Sequence, residues 1–385
     1  GFIAEKDKKE FLKKIEAQRL GRSVRTGDNG PTQEQMALVY KLYNEKNLEL
    51  TLVETKKLST EFPHSPVLKN LLGAVYAGMG DFAAAIYNYQ NALSLKPDFY
   101  QAYNNMGSAH QEIGDLDTAL KFYRKALKIN VQYEDAMHNI GKLFHQIGEL
   151  KNALEYYQSV LAINPNNSSI HDKIGSIQKA NRDFAAAAES FKLAIKIDPK
   201  YDKAYNNLGT LFEETGDLEN AINYYQQAIG IHPQFVEALT NLANSYQFLG
   251  DYERSMENYN KAISLDPNFP EACLGMAVQL QHQKDHKSSI KFLKRLLDNP
   301  TAETALREKA QSLLLKALYV IEDQTKFLHL YKALLKSGKR DALIGSLGSR
   351  FQLNYESKIE NPFCNKPMDH VISKSIIGHD FQRIV

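Results

Sequence analysis

Apolar and polar positions along this chain recur in blocks of 34 residues. In each block an apolar side chain (Leu72, Met106, Ile140, Ile174, Leu208, Leu242, Met276) directly precedes a small residue, Gly73, Gly107, Gly141, Gly175, Gly209, Ala243 or Ala277. Seven positions after the small residue stands Gly80, Gly114, Gly148, Arg182, Gly216, Gly250 or Lys284, each followed by Asp or Glu. A glycine there supplies the left-handed backbone that ends one helix, and the acid caps or charges the start of the next. A period of this length predicts a solenoid of stacked helical hairpins, the architecture of molecules that hold others along a long surface.

The second helix of each block repeats as well. A small residue at Ala85, Ala119, Ala153, Ala187, Ala221, Ser255 and Ser289 is followed four positions on by Tyr89, Tyr123, Tyr157, Phe191, Tyr225, Tyr259 and Leu293. That spacing puts small and large groups on one helical face, so neighbouring helices can approach closely and interlock. Pro63, Pro97, Pro165, Pro199, Pro233 and Pro267 close most blocks because proline cannot continue a helix, and Val131 breaks the rule once.

Small, aromatic, small and proline positions recurring in one register resemble the tetratricopeptide repeat, a pair of antiparallel helices per unit. The resemblance implies an all-α, right-handed α-α superhelix, a solenoid of helical hairpins. Residues 1–31 are then a charged N-terminal extension, 32–303 eight repeats, 304–355 a degenerate helical cap, and 356–385 a linker or the start of a further domain. The units begin at Thr32, Pro66, Tyr100, Glu134, Ser168, Asp202, Val236 and Pro270, and the first and last depart most from the pattern. Helices are expected over Thr304 to Val320, Gln324 to Lys336 and Ala342 to Leu353.

Composition narrows the chemistry. A net charge of +2 over 385 residues gives no global basic field for nucleic acid. No apolar run is long enough to span a membrane. Two cysteines, Cys273 and Cys364, form no disulfide framework and suit a reducing, cytoplasmic setting. Cys273 falls on a packing position. The N-terminal stretch, with Phe2, Ile3, Phe11, Leu12 and Ile15 among lysines, reads as a solvated helix or tail; it begins without Met, so the natural N-terminus is expected further upstream.

No catalytic or cofactor-binding pattern stands out. Eleven histidines are scattered; His282 and His286 have helical spacing but straddle the turn at Lys284. No glycine-rich phosphate loop follows a strand, and no nucleophile sits in an elbow. Neither a catalytic site, a cofactor nor a metal is expected in this chain.

The face built from the first helices, the expected concave groove, carries the functional signal. Two positions before the small residue lie Asn105, Asn139, Lys173, Asn207 and Asn241, flanked by Leu71 and Gly275. Asparagine both donates and accepts, so a row of it can hold an extended peptide by its backbone with little regard to side chains. The tetratricopeptide superhelices of protein O-linked N-acetylglucosamine transferases carry a similar row, and by that resemblance these positions are the expected partner contacts. Equally, an asparagine there can cap local backbone or bond a neighbouring repeat. Lys173 interrupts the row and either turns the groove toward an acidic ligand or is simply solvated.

One position earlier stand Asn70, Asn104, His138, Asp172, Asn206 and Thr240, and four positions beyond the small residue Gln111, His145, Lys179, Glu213, Gln247 and Gln281. A polar groove of mixed sign favours a peptide over a lipid or an apolar cofactor. The expected function is a scaffold that binds an extended protein segment. The alternative is the recognition arm of a larger enzyme, a glycosyltransferase or an oxygenase. The segment Asn361 to Met368 resembles the junction ahead of a 2-oxoglutarate and Fe(II)-dependent oxygenase domain in some bacterial proteins. His379-Asp380 lacks the spacing of the His-x-Asp pair that such a domain uses for iron.

Overall fold

The computed structural model describes residues 30–338 and 342–355, all of whose regular structure is α-helical. The readings of the N-terminal stretch, Cys364, the oxygenase-like junction and His379-Asp380 fall outside the described residues. The chain divides into two compact units, Gly1–Pro165 and Asn166–Val385.

The first unit holds four hairpins. These are α1 (Gln33–Asn44) with α2 (Leu48–Glu61), α3 (Pro66–Gly78) with α4 (Phe82–Leu95), α5 (Tyr100–Glu112) with α6 (Leu116–Ile129), and α7 (Glu134–Gln146) with α8 (Leu150–Ile163). Each turn is dictated locally. At Gly114 the backbone takes φ +84, which ends α5, and Asp115 then accepts a bond from the Thr118 amide at 3.2 Å to start α6. Glu149 holds the same place before α8 but makes no side-chain cap, its extra methylene carrying the carboxylate past the amide.

The glycines at this position of α3, α5 and α7 make room for an aromatic ring. A Cβ on Gly107 would lie 2.7 Å from the ring of Tyr123, and one on Gly141 2.6 Å from that of Tyr157. Tyr89, Tyr123 and Tyr157 are thereby sunk between helices with at most 2% of their surface exposed. Burying a large side chain so completely contributes on the order of 1.5–3 kcal/mol.

The second unit continues the scheme. Its hairpins are α9 (Ser168–Ala180) with α10 (Phe184–Ile197), α11 (Asp202–Glu214) with α12 (Leu218–Ile231), α13 (Val236–Phe248) with α14 (Tyr252–Leu265), and α15 (Pro270–His282) with α16 (His286–Asp298). Where glycine is missing from the turn, Arg182 and Lys284 take the left-handed backbone themselves, at φ 62 and 63. Gly175 and Gly209 lie under Phe191 and Tyr225. The next repeat has Ala243 instead, and its Tyr259 ring lies over Gly275 of the following first helix, where any Cβ would clash.

Past the repeats run α17 (Thr304–Val320), α18 (Gln324–Lys336) and α19 (Ala342–Tyr355). Arg307 joins the first of these to α16, donating to the carbonyls of Leu297 and Asn299 at 2.8–3.0 Å, groups left open by the helix end. Phe327 and Phe351 stack 4.6 Å apart at the centre of an apolar cluster that also contains Leu315 and Tyr331. Cys273 belongs to the same cluster; it is fully buried, and burial pushes its thiol up to about 11. No helix among the described residues is long and apolar enough to cross a membrane.

Candidate functional site

Within each unit, successive first helices pack against one another: α3 on α5 and α5 on α7, then α9 on α11, α11 on α13 and α13 on α15. The residue two positions before the small residue therefore looks toward its counterpart's neighbour one repeat back. In the first unit, Asn105 Nδ2 donates to Asn70 Oδ1 at 3.1 Å, and Asn139 Nδ2 donates to Asn104 Oδ1 at 2.9 Å. In the second, Asn207 Nδ2 donates to Asp172 Oδ1 at 2.7 Å, and Asn241 Nδ2 donates to Asn206 Oδ1 at 3.1 Å.

The same bond recurs four times, always to the residue 35 positions earlier. Three of its acceptors are deep: Asn104 is 6%, Asn206 2% and Asp172 0% exposed. The four donors are half-buried. Each spends one N–H on the previous repeat and keeps a carbonyl oxygen and a second N–H for other use.

Lys173 does something different. Its ammonium sits 3.6 Å from the Asp172 carboxylate on the same helix and is partly exposed. Asp172 thus gathers the Asn207 amide, the Lys173 charge and, at 3.5 Å, the Tyr201 hydroxyl. Burial raises the Asp172 carboxyl above its ordinary range against the pull of these three groups. Tyr201 is pushed up to about 12, chiefly by burial and then by that carboxylate.

A second polar row lies four positions after the small residue. Gln111 accepts from Tyr123 Oη at 2.9 Å and donates to Gln146 at 2.9 Å. Glu213 accepts from Tyr225 Oη at 2.6 Å, and burial raises its carboxyl. Gln247 accepts from Tyr259 Oη at 3.2 Å and donates to Gln279 at 2.7 Å. Lys179 reaches Glu214 at 2.9 Å and Thr210 at 3.1 Å. Gln111, Glu213 and Gln247 thus hold buried tyrosines, and Gln111, Lys179 and Gln247 tie α5 to α7, α9 to α11 and α13 to α15, a role that their spacing alone did not reveal.

His282 ends α15 and His286 begins α16, and among the described residues no three His, Cys, Asp or Glu side chains converge on a point that could hold a metal.

Sequence models described as tetratricopeptide repeat match residues 98–166, 168–201, 202–235 and 236–269, and a further one described as TPR repeat matches 73–114. Together they span just over half the chain. Among solved structures, a chain of the APC/C hetero-tetramer Cut9-Hcn1 is similar at a TM-score of 0.56 and 18% identity, covering 74% of this chain and 55% of that one. This chain thus spans about half the length of that relative. A tetratricopeptide repeat protein from Parabacteroides merdae is similar at a TM-score of 0.54 and 18% identity, covering 63% of this chain and 96% of that one. At such identities the likeness is one of fold. No curated protein matches the sequence.

Proposed function

The chain belongs to the tetratricopeptide repeat family, and from that premise we propose that its first-helix faces each hold an extended segment of a protein partner. The observation that supports this most is the recurring asparagine bond. An unsupported asparagine loses side-chain freedom when it binds, but Asn105, Asn139, Asn207 and Asn241 are already fixed by a bond to the preceding repeat. What each has left is one acceptor and one donor, the complement of a peptide unit. Lys173, partly exposed beside the buried Asp172 carboxylate, adds a point where the second unit meets charge.

Polar groups of both signs surround the row, a surface suited to a peptide backbone and unsuited to a lipid tail. Capture of partners on the immobilised chain, followed by mass spectrometry, identifies the ligand. Changing Asn105 and Asn139 together to Ser, which shortens the rung but keeps a polar group, is expected to weaken capture at least about tenfold with helicity retained. Undiminished capture at full helicity would remove the rungs from the binding surface.

A further inference from the structure

The repeat built on α3 and α4 lacks the polar groups that its neighbour uses to satisfy a buried tyrosine. In the neighbour, built on α5 and α6, Tyr123 Oη donates to Gln111 Oε1 at 2.9 Å and lies 3.2 Å from Ser108 Oγ. One period earlier those two positions are Ala77 and Ala74. The equivalent tyrosine, Tyr89, is 2% exposed, and its hydroxyl makes no hydrogen bond among the described residues.

Ala74 and Ala77 lie in the wall of a cavity of about 360 Å³ on the first-helix side of the first unit. Ala74, Ala77 and Phe82 give it apolar walls, and Tyr89, Asn105 and Glu112 give it polar groups. Asn105 has committed an N–H to Asn70, so its carbonyl oxygen is the group it can still offer. Glu112 is exposed and pairs with no cation among the described residues, and no Lys, Arg or His lines the cavity. The neutral hydroxyl of Tyr89 accepts as readily as it donates.

The hydroxyls of Tyr43 and Ser108 also line the cavity, so its apolar walls end in oxygen groups that can accept, one of them a carboxylate, and call for an aliphatic stem with a donor-rich cationic head. We propose that this cavity receives an arginine side chain of the extended segment, its methylenes over Ala74 and Ala77 and its guanidinium among Tyr89, Asn105 and Glu112. The inference rests on the first-helix face being the peptide-binding surface. Arginine is favoured over lysine because a planar group with five donors can serve several acceptors at once and lie against the Phe82 ring. Asn105 then has a double part, meeting the backbone of the segment and the head of its anchor residue.

The test uses fluorescent nonapeptide pools with degenerate flanks and Arg, Lys, Leu or Glu fixed at the centre, titrated against the full chain by anisotropy. Arg pools are expected to bind at least about tenfold more tightly than Leu pools, with Lys between them and Glu weakest. Ala77→Gln installs the glutamine of the neighbouring repeat, which intrudes on the cavity beside Tyr89 and gives Tyr89 Oη a partner, so the fold is retained while the arginine preference disappears. Glu112→Lys, at an exposed position, is expected to shift the preference toward Glu pools. Equal binding of Arg and Leu pools, or an arginine preference that survives in folded Ala77→Gln, overturns the anchor while leaving the peptide-binding face intact. If no pool binds, the face and its anchor fall together.

Discussion

Asn207 and Asp172 form the one rung in which the recurring amide meets a carboxylate, at 2.7 Å, where Asn105, Asn139 and Asn241 each meet another amide. The carboxylate is fully buried, so ionising it works against its surroundings, and its pKa is raised accordingly. Asp172→Asn makes this rung like the other three. Equilibrium unfolding in urea at pH 7 is expected to find the variant at least as stable as the parent. A loss greater than about 1 kcal/mol would instead show that the Lys173 ion pair outweighs the burial of charge.

Stability should depend on pH with two opposite signs. Asp172 and Glu213 have raised pKa values, so the folded state holds their protons more tightly than the unfolded state does. Their contribution is fully present below the ordinary carboxylate range and is lost as pH rises through the folded values. The caps Asp115, Asp217, Asp251, Asp285 and Asp323 are lowered by bonds to the residue three positions on, so theirs is present above about pH 4 and lost as pH falls through the folded values. The urea midpoint followed from pH 7 to pH 3 should fall less steeply at the acid end when Asp217 and Asp251 are replaced by Asn, which still caps. Its dependence at higher pH should flatten in Asp172→Asn with Glu213→Gln. An unaltered profile in either pair would contradict the assignment.

Glycines of similar appearance should respond in opposite ways to alanine. A Cβ on Gly209 would stand 2.6 Å from the Tyr225 ring, which is locked between helices, so Gly209→Ala is expected to cost about 1–3 kcal/mol. Gly230 lies in α12 with nothing within 4 Å of its added Cβ, and Gly230→Ala should stabilise by up to about 1 kcal/mol. Thermal and urea unfolding of the two variants gives the comparison directly; equal and small effects would mean that the tyrosine can move aside.

Arg182 and Lys284 each hold a left-handed backbone that their neighbours give to glycine. Replacing either with Gly relieves that strain but frees the unfolded chain, and the difference is expected to favour the folded state by on the order of 1 kcal/mol at most. A measured loss of stability would point to side-chain contacts that outweigh the strain.

Most of the architecture was legible because it is local. The glycine, arginine or lysine before each acid, the small residue opposite most of the aromatics and the prolines between hairpins act within one repeat, and helices start at Pro66, Tyr100, Glu134, Ser168, Asp202, Val236 and Pro270. The asparagine row was visible too, as was a polar row beside it. That an asparagine of the row can bond a neighbouring repeat was legible as one reading among others, but the partner 35 residues back was not, because it depends on how far one hairpin turns against the next. The end of the row shows the same limit: Gly275 stands where asparagine would, and the Tyr259 ring, still bonded to Gln247 of its own repeat, occupies the space a side chain would need. Gly275→Asn would lengthen the row on paper and is expected to destabilise the chain instead. The Tyr89 cavity left only a negative trace in the sequence, Ala74 and Ala77 where Ser108 and Gln111 stand one period later.

Because each rung reaches back a single repeat, its chemistry is indifferent to how many repeats come before. Excising residues 100–133 would bring Asn139 opposite Asn70 in place of Asn104, an amide meeting an amide as before, and would set Phe99 ahead of α7 where Tyr133 stood. That period can therefore be removed without rewriting the junction it leaves. The length of the first unit is a setting that duplication or loss of one such segment can change, and with it the number of asparagine rungs its first helices present.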